Sequence, residues 1–177
     1  VLQRIEIRHS DSVVTGTDLP SAVLRNKRTS SMGAAMQAVA EGEAAAFISA
    51  GNTGAIMALG LYFVKPLPGV SRPAICTAVP TLTGRSYVLD LGANIHCSAH
   101  QLYQFGLLGS LMAQHLGRIA APSVRLLNVG EELSKGSEKI QQAAELLADE
   151  PQVNYCGYIE GDGIFAGATD VVVCDGF

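Results

Sequence analysis

The segment AFISAGNTGAIMALG, residues 46 to 60, combines three patterns in succession. An apolar run ends at Ile48, a glycine-rich turn follows, and the residues after the turn are mostly helix formers. This order predicts a strand, a tight turn and a helix. The first NH groups of a helix have no partner within the helix, so a helix that begins at such a turn presents donors that favour anions.

Short apolar runs of this kind recur along the whole chain. Most of them are apolar on both faces, which is typical of a parallel or mixed sheet covered by helices. The predicted strands are RIEIRH (residues 4–9), AAFIS (45–49), AICTAV (74–79), SYVLDL (86–91), VRLLNV (124–129), VNYCGYI (153–159) and DVVVC (170–174).

Longer amphipathic runs separate the predicted strands. Helices are predicted over residues 30–44, over 52–64, from Ser98 onward, and over 137–149. Ser98 is followed three residues later by Gln101, the pattern of a capping box. Strands that alternate with helices predict an α/β fold.

Composition sets limits on the class of protein. The chain has 177 residues, of which 48% are hydrophobic, so we expect one α/β domain over residues 1–177. Its net charge of −4 gives no reason to expect nucleic acid as a partner. No apolar run approaches the roughly 18 residues that span a bilayer, and the first residues lack a signal-peptide pattern, so we expect a cytoplasmic protein.

Six turns combine glycine with polar or charged side chains. In an open α/β sheet, ligands bind at the carboxyl ends of the strands. We therefore predict that these turns line one edge, although glycine is also common wherever a strand turns into a helix. The turns are SAGNTG (49–54), VPTLTG (79–84), DLGAN (90–94), NVGEELSKG (128–136), IEGDG (159–163) and CDGF (174–177).

Several familiar site motifs are missing or altered. There is no GxGxxG, and GEELSKGS has its lysine before the second glycine, unlike a Walker loop. His96 and His100 flank Cys97, but a helix capped at Ser98 leaves His96 outside it, so we predict no metal site. No GxSxG elbow or Ser-His-Asp arrangement is present, which predicts a reaction without a covalent enzyme intermediate.

A second candidate anion site is LRNKRTSSM, residues 24 to 32. Three cations precede a predicted helix whose capping serines would present free NH groups, and this combination suits a phosphate. A solvated basic loop is the alternative interpretation. The residues concerned are Arg25, Lys27, Arg28, Ser30 and Ser31.

The ordered blocks FISAGNTGAIMALG, RPAICTAVPT, VLDLGAN, QLYQFGLLGS, VRLLNVGEELSKG and DVVVCDGF resemble the PlsX family of phosphate acyltransferases. The resemblance extends from about Arg4 to Phe177. Members of that family are about twice as long, so we expect a central portion, incomplete at both ends. The family has Asp where this chain has His96, and a GN shortly after DGF, which this chain does not reach.

The resemblance implies acyl transfer from acyl-[acyl-carrier-protein] to inorganic phosphate, which forms acyl phosphate for phospholipid synthesis. It also implies a three-layer α/β/α sandwich like that of isocitrate and isopropylmalate dehydrogenases and of phosphotransacetylase. We expect a homodimer that needs no cofactor and no metal. Peripheral membrane contact is expected through residues beyond Phe177.

That reaction needs groups that hold phosphate and stabilise an oxyanion. Lys135 is the first candidate for either task, with a structural ion pair as the alternative. Asn52 and Asn94 are further catalytic candidates. Phosphate or substrate binding is expected from Ser49, Gly51, Thr53, Gly54 and Asn128, together with the basic segment, and Asp90, Glu131, Glu160, Asp162 and Asp175 are expected to position Lys135 or arginines.

Three other functions stay open at this point. A nicotinamide-dependent hydroxyacid dehydrogenase would share the fold. A short-chain phosphotransacetylase using acyl-CoA would share the chemistry. The third alternative is a truncated fragment that binds but does not catalyse.

Overall fold

The computed structural model describes residues 5–177, which divide into two compact units, residues 5–73 and Ala74–Phe177. Each unit has its own buried core. The single domain expected over residues 1–177 stays a prediction. Within the described residues, no helix is both long enough and apolar enough to cross a bilayer.

The first unit is built from helices. Pro20 occupies the first helical turn, where its missing NH costs nothing. Ser30 and Asn52 cap the next two helices by accepting NH bonds from Gly33 at 3.3 Å and from Ala55 at 3.0 Å. The helices are α1 (Pro20–Asn26), α2 (Ser31–Ala40) and α3 (Thr53–Phe63), and their buried core residues are Val23, Met32, Met36, Ala55 and Leu59.

The two strands predicted in this unit are absent. No strand is present in residues 5–73, so the predictions over residues 5–9 and 45–49 are wrong, and Arg4 lies outside the described residues. The side chains of Ile7 and Ile48 are 90% and 95% exposed. A strand needs a neighbouring strand to satisfy its backbone groups, and residues 5–73 provide none.

The second unit contains the sheet. Its elements are β1 (Cys76–Thr81), β2 (Gly84–Leu89), α4 (Ala99–His115), β3 (Ser123–Leu127), α5 (Glu138–Ala148), β4 (Asn154–Ile159), α6 (Gly161–Ala166) and β5 (Val171–Val173). The strand order is β1-β2-β5-β3-β4, and every pair except β1–β2 is parallel. This confirms the α/β fold with a mostly parallel sheet. The closer likeness to isocitrate and isopropylmalate dehydrogenases stays a prediction.

β1 runs against the rest of the sheet. It pairs with β2 in a hairpin in which Thr81 lies opposite Gly84, so only residues 82 and 83 form the turn. Strands joined by so short a turn must be antiparallel, because a parallel crossover needs a dozen or more residues. The turn 79–84 therefore lies at the opposite edge from the carboxyl ends of the parallel strands, and its predicted place among the ligand-binding turns is wrong.

Helices α4 and α5 cover one face of the sheet. Phe105 and Leu147 are fully buried there against Val124 and Val171. The predicted capping box at the start of α4 is present, because Ser98 and Gln101 bond to each other's backbone NH groups. A smaller cluster on other residues of the same strands comprises Val88, Ile159 and Val172, with Ile164 of α6 packed against it.

The segment KPLPGVSRP, residues 65–73, follows α3 and ends the first unit. It contains three prolines and has no regular secondary structure. Lys65 and Gly69 have left-handed backbone conformations, with φ of +64° and +86°. Leu67 is 70% exposed, so the segment lies at the surface of its unit.

Candidate active site

Four of the six turns meet at one edge of the second unit. Residues 90–94 follow β2, residues 128–136 follow β3, residues 159–163 follow β4 and residues 174–177 follow β5. These four strands are parallel neighbours, so their carboxyl ends share an edge. We call these four turns the rim. The turn 49–54 belongs to the first unit and is described with it below.

The Asp90 carboxylate holds the first rim turn together. Its side chain is 1% exposed. Oδ1 accepts NH bonds from Ile75 at 2.8 Å and Ala93 at 3.3 Å, and Oδ2 accepts the backbone and side-chain NH groups of Asn94 at 2.5 and 3.0 Å. The prediction that Asp90 positions Lys135 or an arginine is wrong, since its contacts are with this turn and with Ile75.

Asn94 joins two neighbouring rim turns. Its carbonyl oxygen accepts the backbone NH of Gly176 at 2.8 Å and the thiol of Cys97 at 3.4 Å. A Cβ atom at Gly176 would lie 2.8 Å from Gly92 Cα, so only glycine permits this approach. Asn94 is 2% exposed and bonds to Asp90 through its side-chain NH, so it shapes the rim, and its catalytic role stays a prediction.

Two thiols lie beside these turns. Burial, helped by the nearby Asp90 and Asp175 charges, raises the pKa of Cys97 to about 11 and that of Cys174 to about 12. Both are therefore protonated at neutral pH, and the nucleophilic form of cysteine is the thiolate. These two residues are poor candidates for a covalent intermediate.

Asn128 fixes the turn that carries Lys135. It is 8% exposed, its backbone NH donates to Ile159 O at 3.0 Å, and its Nδ2 donates to Lys135 O at 3.2 Å. Gly136 has φ of +86°, and a Cβ atom there would overlap Asn128 Oδ1. Asn128 thus acts on the backbone of this turn, and its predicted contact with phosphate is untested.

The Lys135 ammonium extends from this fixed backbone into solvent. Among residues 5–177, no carboxylate lies within 4.0 Å of it, so the alternative of a structural ion pair finds no partner there. Of the acids expected to position cations, Glu131 lies 3.8 Å from Arg125. Asp162 accepts the NH of Gly163 at 2.9 Å.

A cleft of about 80 Å³ opens at the rim between α4 and α5. Its apolar wall includes Leu102 and Val173, and its polar groups are Ser137, Lys139 and Asp175. No sequence motif marks Ser137 or Lys139 as a site residue. They stand at the start of the predicted helix 137–149, directly after Lys135 and Gly136, and that position was the available signal.

The turn 49–54 in the first unit is held by its own side chains. Ser49 Oγ accepts the NH of Gly51 at 3.1 Å. Asn52 caps α3 and also donates its amide NH to the carbonyl groups of residues 15, 16 and 18 at 3.0–3.3 Å. Thr53 and Gly54 form the first turn of α3. The Asn52 amide is thus fully engaged within the unit, and its catalytic role stays a prediction.

The basic segment 24–32 is not a loop throughout, because α1 extends to Asn26. Lys27 donates to Asp18 Oδ2 at 2.6 Å, and this hydrogen bond is the main reason why the pKa of Asp18 falls to about 2. Arg28 donates to the Tyr62 hydroxyl and lies 4.9 Å from its ring centre. Arg25 is exposed in the last turn of α1.

The serines of the same segment start α2 as predicted. Ser30 is the buried cap, and the NH of Ser31 donates to Ser12 O at 3.0 Å. Two of the three cations and one of the first NH groups therefore already have partners within the protein. The segment's role in binding phosphate stays a prediction.

The histidines do not form a ligand cluster in the described residues. The His100 ring stacks on Tyr103 with 5.6 Å between ring centres, and His96 is exposed before the helix. No group of three or more His, Cys, Asp or Glu side chains within residues 5–177 is arranged to hold a metal ion.

A mostly parallel sheet with glycine, amide and lysine groups at its strand ends defines an α/β protein with a candidate anion site at the rim. One solved structure with this architecture is the EutD phosphotransacetylase from Staphylococcus aureus. It matches with a TM-score of 0.60 and 20% identity, covering 78% of this chain and 48% of that one, and this likeness shows the fold. The model of the fatty acid synthesis protein family matches residues 2–177, and the chain belongs to that family.

Relatives within the family carry a common name. The phosphate acyltransferase of Halorhodospira halophila is 51% identical over 174 residues, which cover 98% of this chain and 51% of that protein. The phosphate acyltransferase of Saccharophagus degradans is 50% identical over 176 residues, covering 99% and 51%. These matches confirm the resemblance to the PlsX family. The chain spans about half the length of the relatives it matches.

Proposed function

We propose that the protein to which this chain belongs transfers a long-chain acyl group from acyl-[acyl-carrier-protein] to inorganic phosphate. The product is an acyl phosphate that enters phosphatidic acid synthesis. The observation that carries the proposal is the family match over residues 2–177, together with relatives near 50% identity that are named phosphate acyltransferases. The candidate anion site at the rim supports it.

The reaction requires little covalent chemistry from the protein. A phosphate oxygen attacks the thioester carbonyl carbon, a carbon–oxygen bond forms, and the carbon–sulfur bond then breaks to release the carrier-protein thiolate. The protein must hold the anionic nucleophile in place and stabilise the oxyanion that develops in the transition state. No cofactor is needed for these steps.

We assign the main electrostatic role to Lys135. Its ammonium is exposed at the rim and has no carboxylate partner among the described residues, so it can neutralise phosphate or the oxyanion. Its backbone is held by the Asn128 amide at 3.2 Å. Asp90 and Asn94 hold the neighbouring turns, so these buried groups position the rim and leave contact with substrate to Lys135 and free NH groups.

Other contributions are supported by the local structure alone. The turn 49–54 would bind phosphate through NH groups at the start of α3, with Asn52 as its anchor. Arg25 would add a cation in the first unit. We further propose a cytoplasmic homodimer with peripheral membrane contact and the acyl carrier protein as its partner.

The test uses the full-length protein that contains this chain, supplied with hexadecanoyl carrier protein and with acetyl-CoA in parallel. Phosphate-dependent release of the carrier-protein thiol, with acyl phosphate as product, is the expected result. Phosphate-dependent activity with acetyl-CoA, and none with hexadecanoyl carrier protein, would instead identify a short-chain phosphotransacetylase. If the folded full-length protein turns over neither donor, the proposed function is wrong.

A further inference from the structure

An apolar groove lies wholly within the first unit, along one side of α3. Its volume is about 260 Å³. Along α3 it is lined by residues at helical spacing, Ile56, Gly60, Leu61 and Val64, and Met36 of α2 contributes to it from the core. Of the described residues that line the groove, Lys65 alone is charged, and the others are apolar.

This groove is open surface beside a closed core. Ala55 and Leu59 of α3 are fully buried, whereas Ile56 and Leu61 are partly exposed and Val64 is 49% exposed. At Gly60 an added Cβ atom would meet nothing within 4 Å. Helix α3 therefore packs one face on the core and leaves a neighbouring apolar face free to accept a ligand.

Lys65 gives the groove a charged end. It follows α3 directly, and its backbone NH is held by Gly60 O at 3.0 Å. Its side chain is exposed, and no carboxylate among residues 5–177 lies within 4.0 Å of its ammonium. A linear apolar surface with one cation at its end complements an aliphatic chain that carries an anionic head group.

We propose that this groove is a binding site, separate from the reaction site at Lys135, for the aliphatic chain of a long-chain acyl ligand whose anionic head group lies near Lys65. The inference rests on the proposed function in one respect, namely that such ligands are the protein's substrates and products. Burial of one methylene group strengthens binding by about fourfold, so a groove of this kind would select for chain length.

The binding test needs no catalysis, so it can fail independently of the proposed function. Dodecyl phosphate, octyl phosphate and dodecanol, each below its micellar concentration, are titrated into the full-length protein by calorimetry. We expect dodecyl phosphate to bind more tightly than octyl phosphate by about fourfold per methylene. Absence of dodecyl phosphate binding, or equal affinity for the two phosphates, would overturn the proposal.

Two variants at one position localise the site. Gly60→Leu fills the groove and would displace at least two methylenes, so affinity for dodecyl phosphate should fall about tenfold or more. Gly60→Ala adds one methyl group in open space and should leave affinity nearly unchanged. If Gly60→Leu does not fold, Val64→Ser removes apolar surface without filling the groove and should weaken binding as well.

A charge variant and a measurement of mass complete the test. Lys65→Gln should weaken binding of dodecyl phosphate but leave that of dodecanol unchanged. Sedimentation velocity on Gly60→Leu tests whether a second copy of the chain, and not a ligand, occupies the groove. If this folded variant binds dodecyl phosphate like the wild type, the groove is not the acyl site, and a simultaneous loss of dimer would identify a protein interface.

Discussion

Lys135 differs from the other polar groups of the rim in how it is held. Asp90, Asn94 and Asn128 are buried. The side chains of Asp90 and Asn128 bond to neighbouring backbone, and that of Asn94 donates to the Asp90 carboxylate. Lys135 uses only its backbone, since its NH bonds to Glu132 O at 3.0 Å and its carbonyl accepts from Asn128. The fold therefore fixes the backbone position of this lysine and leaves its ammonium free to contact a ligand.

At this scale we predict that Lys135→Ala in the full-length enzyme removes stabilisation of the transition state worth about 2.7 to 4 kcal/mol, the range for a lost oxyanion donor. Stability should hardly change, because the side chain is exposed. The measurements are the rate of acyl phosphate formation and a thermal melt. Arg85→Ala, which removes an exposed cation near the hairpin at the opposite edge of the sheet, is the matched control. Equal activity of the two variants would contradict the assignment.

The sequence identified which residues stand at the strand ends but not what they bind. Asn94 and Asn128 follow strands as predicted, because apolar runs and glycines mark those positions. Their partners depend on the three-dimensional path of the turns. Asn128 contacts the carbonyl of Lys135, seven residues further on, and Asp90 bonds to Ile75, fifteen residues earlier. No local pattern encodes such contacts.

At the scale of the element, the start of α3 depends on Asn52 for two separate reasons. Its Oδ1 caps the helix, and its Nδ2 donates to three carbonyl groups in residues 15–18. We predict that Asn52→Ala lowers the free energy of unfolding by about 0.5 to 2 kcal/mol through loss of the cap, and by a further amount because three carbonyl groups lose their donor. Urea denaturation of the full-length protein measures this change.

Asn52→Asp separates the two roles. Aspartate caps helices as well as asparagine does, so a cap-only role predicts no loss of stability. The three carbonyl groups would instead face a carboxylate oxygen and lose their donor, so we expect this variant to lose at least about 1 kcal/mol. Wild-type stability in Asn52→Asp would show that the bonds to residues 15–18 contribute nothing.

The sequence predicted the longer helices and the strands of the second unit correctly, whereas the apolar run at residues 45–49 forms no strand. Helices α2, α3, α4 and α5 and the five strands of the second unit lie where their patterns indicated. Helices α1 and α6, of 7 and 6 residues, were missed because such short segments show little periodicity. The direction of β1 was missed because an apolar run does not reveal whether its neighbour is parallel.

At the scale of the whole molecule, the two units differ in how much apolar surface they bury. Among residues 5–177, the main cluster of the second unit has fifteen buried residues, and that of the first unit has five. Local opening is easier where fewer apolar contacts must be broken. We therefore predict that amides of α3 exchange hydrogen faster than those of β5 and α4, measured by mass spectrometry. Protection of α3 equal to that of β5 would contradict this.

The proline-rich segment 65–73 has a consequence for proteolysis. Lys65, Leu67 and Arg72 are each followed by proline, and all three are exposed. Trypsin and chymotrypsin do not cut efficiently before proline, whose ring fixes the backbone and removes the NH. The residues that end the first unit thus combine accessibility with resistance to cleavage. Digestion should trim other exposed sites first and leave the two units covalently joined.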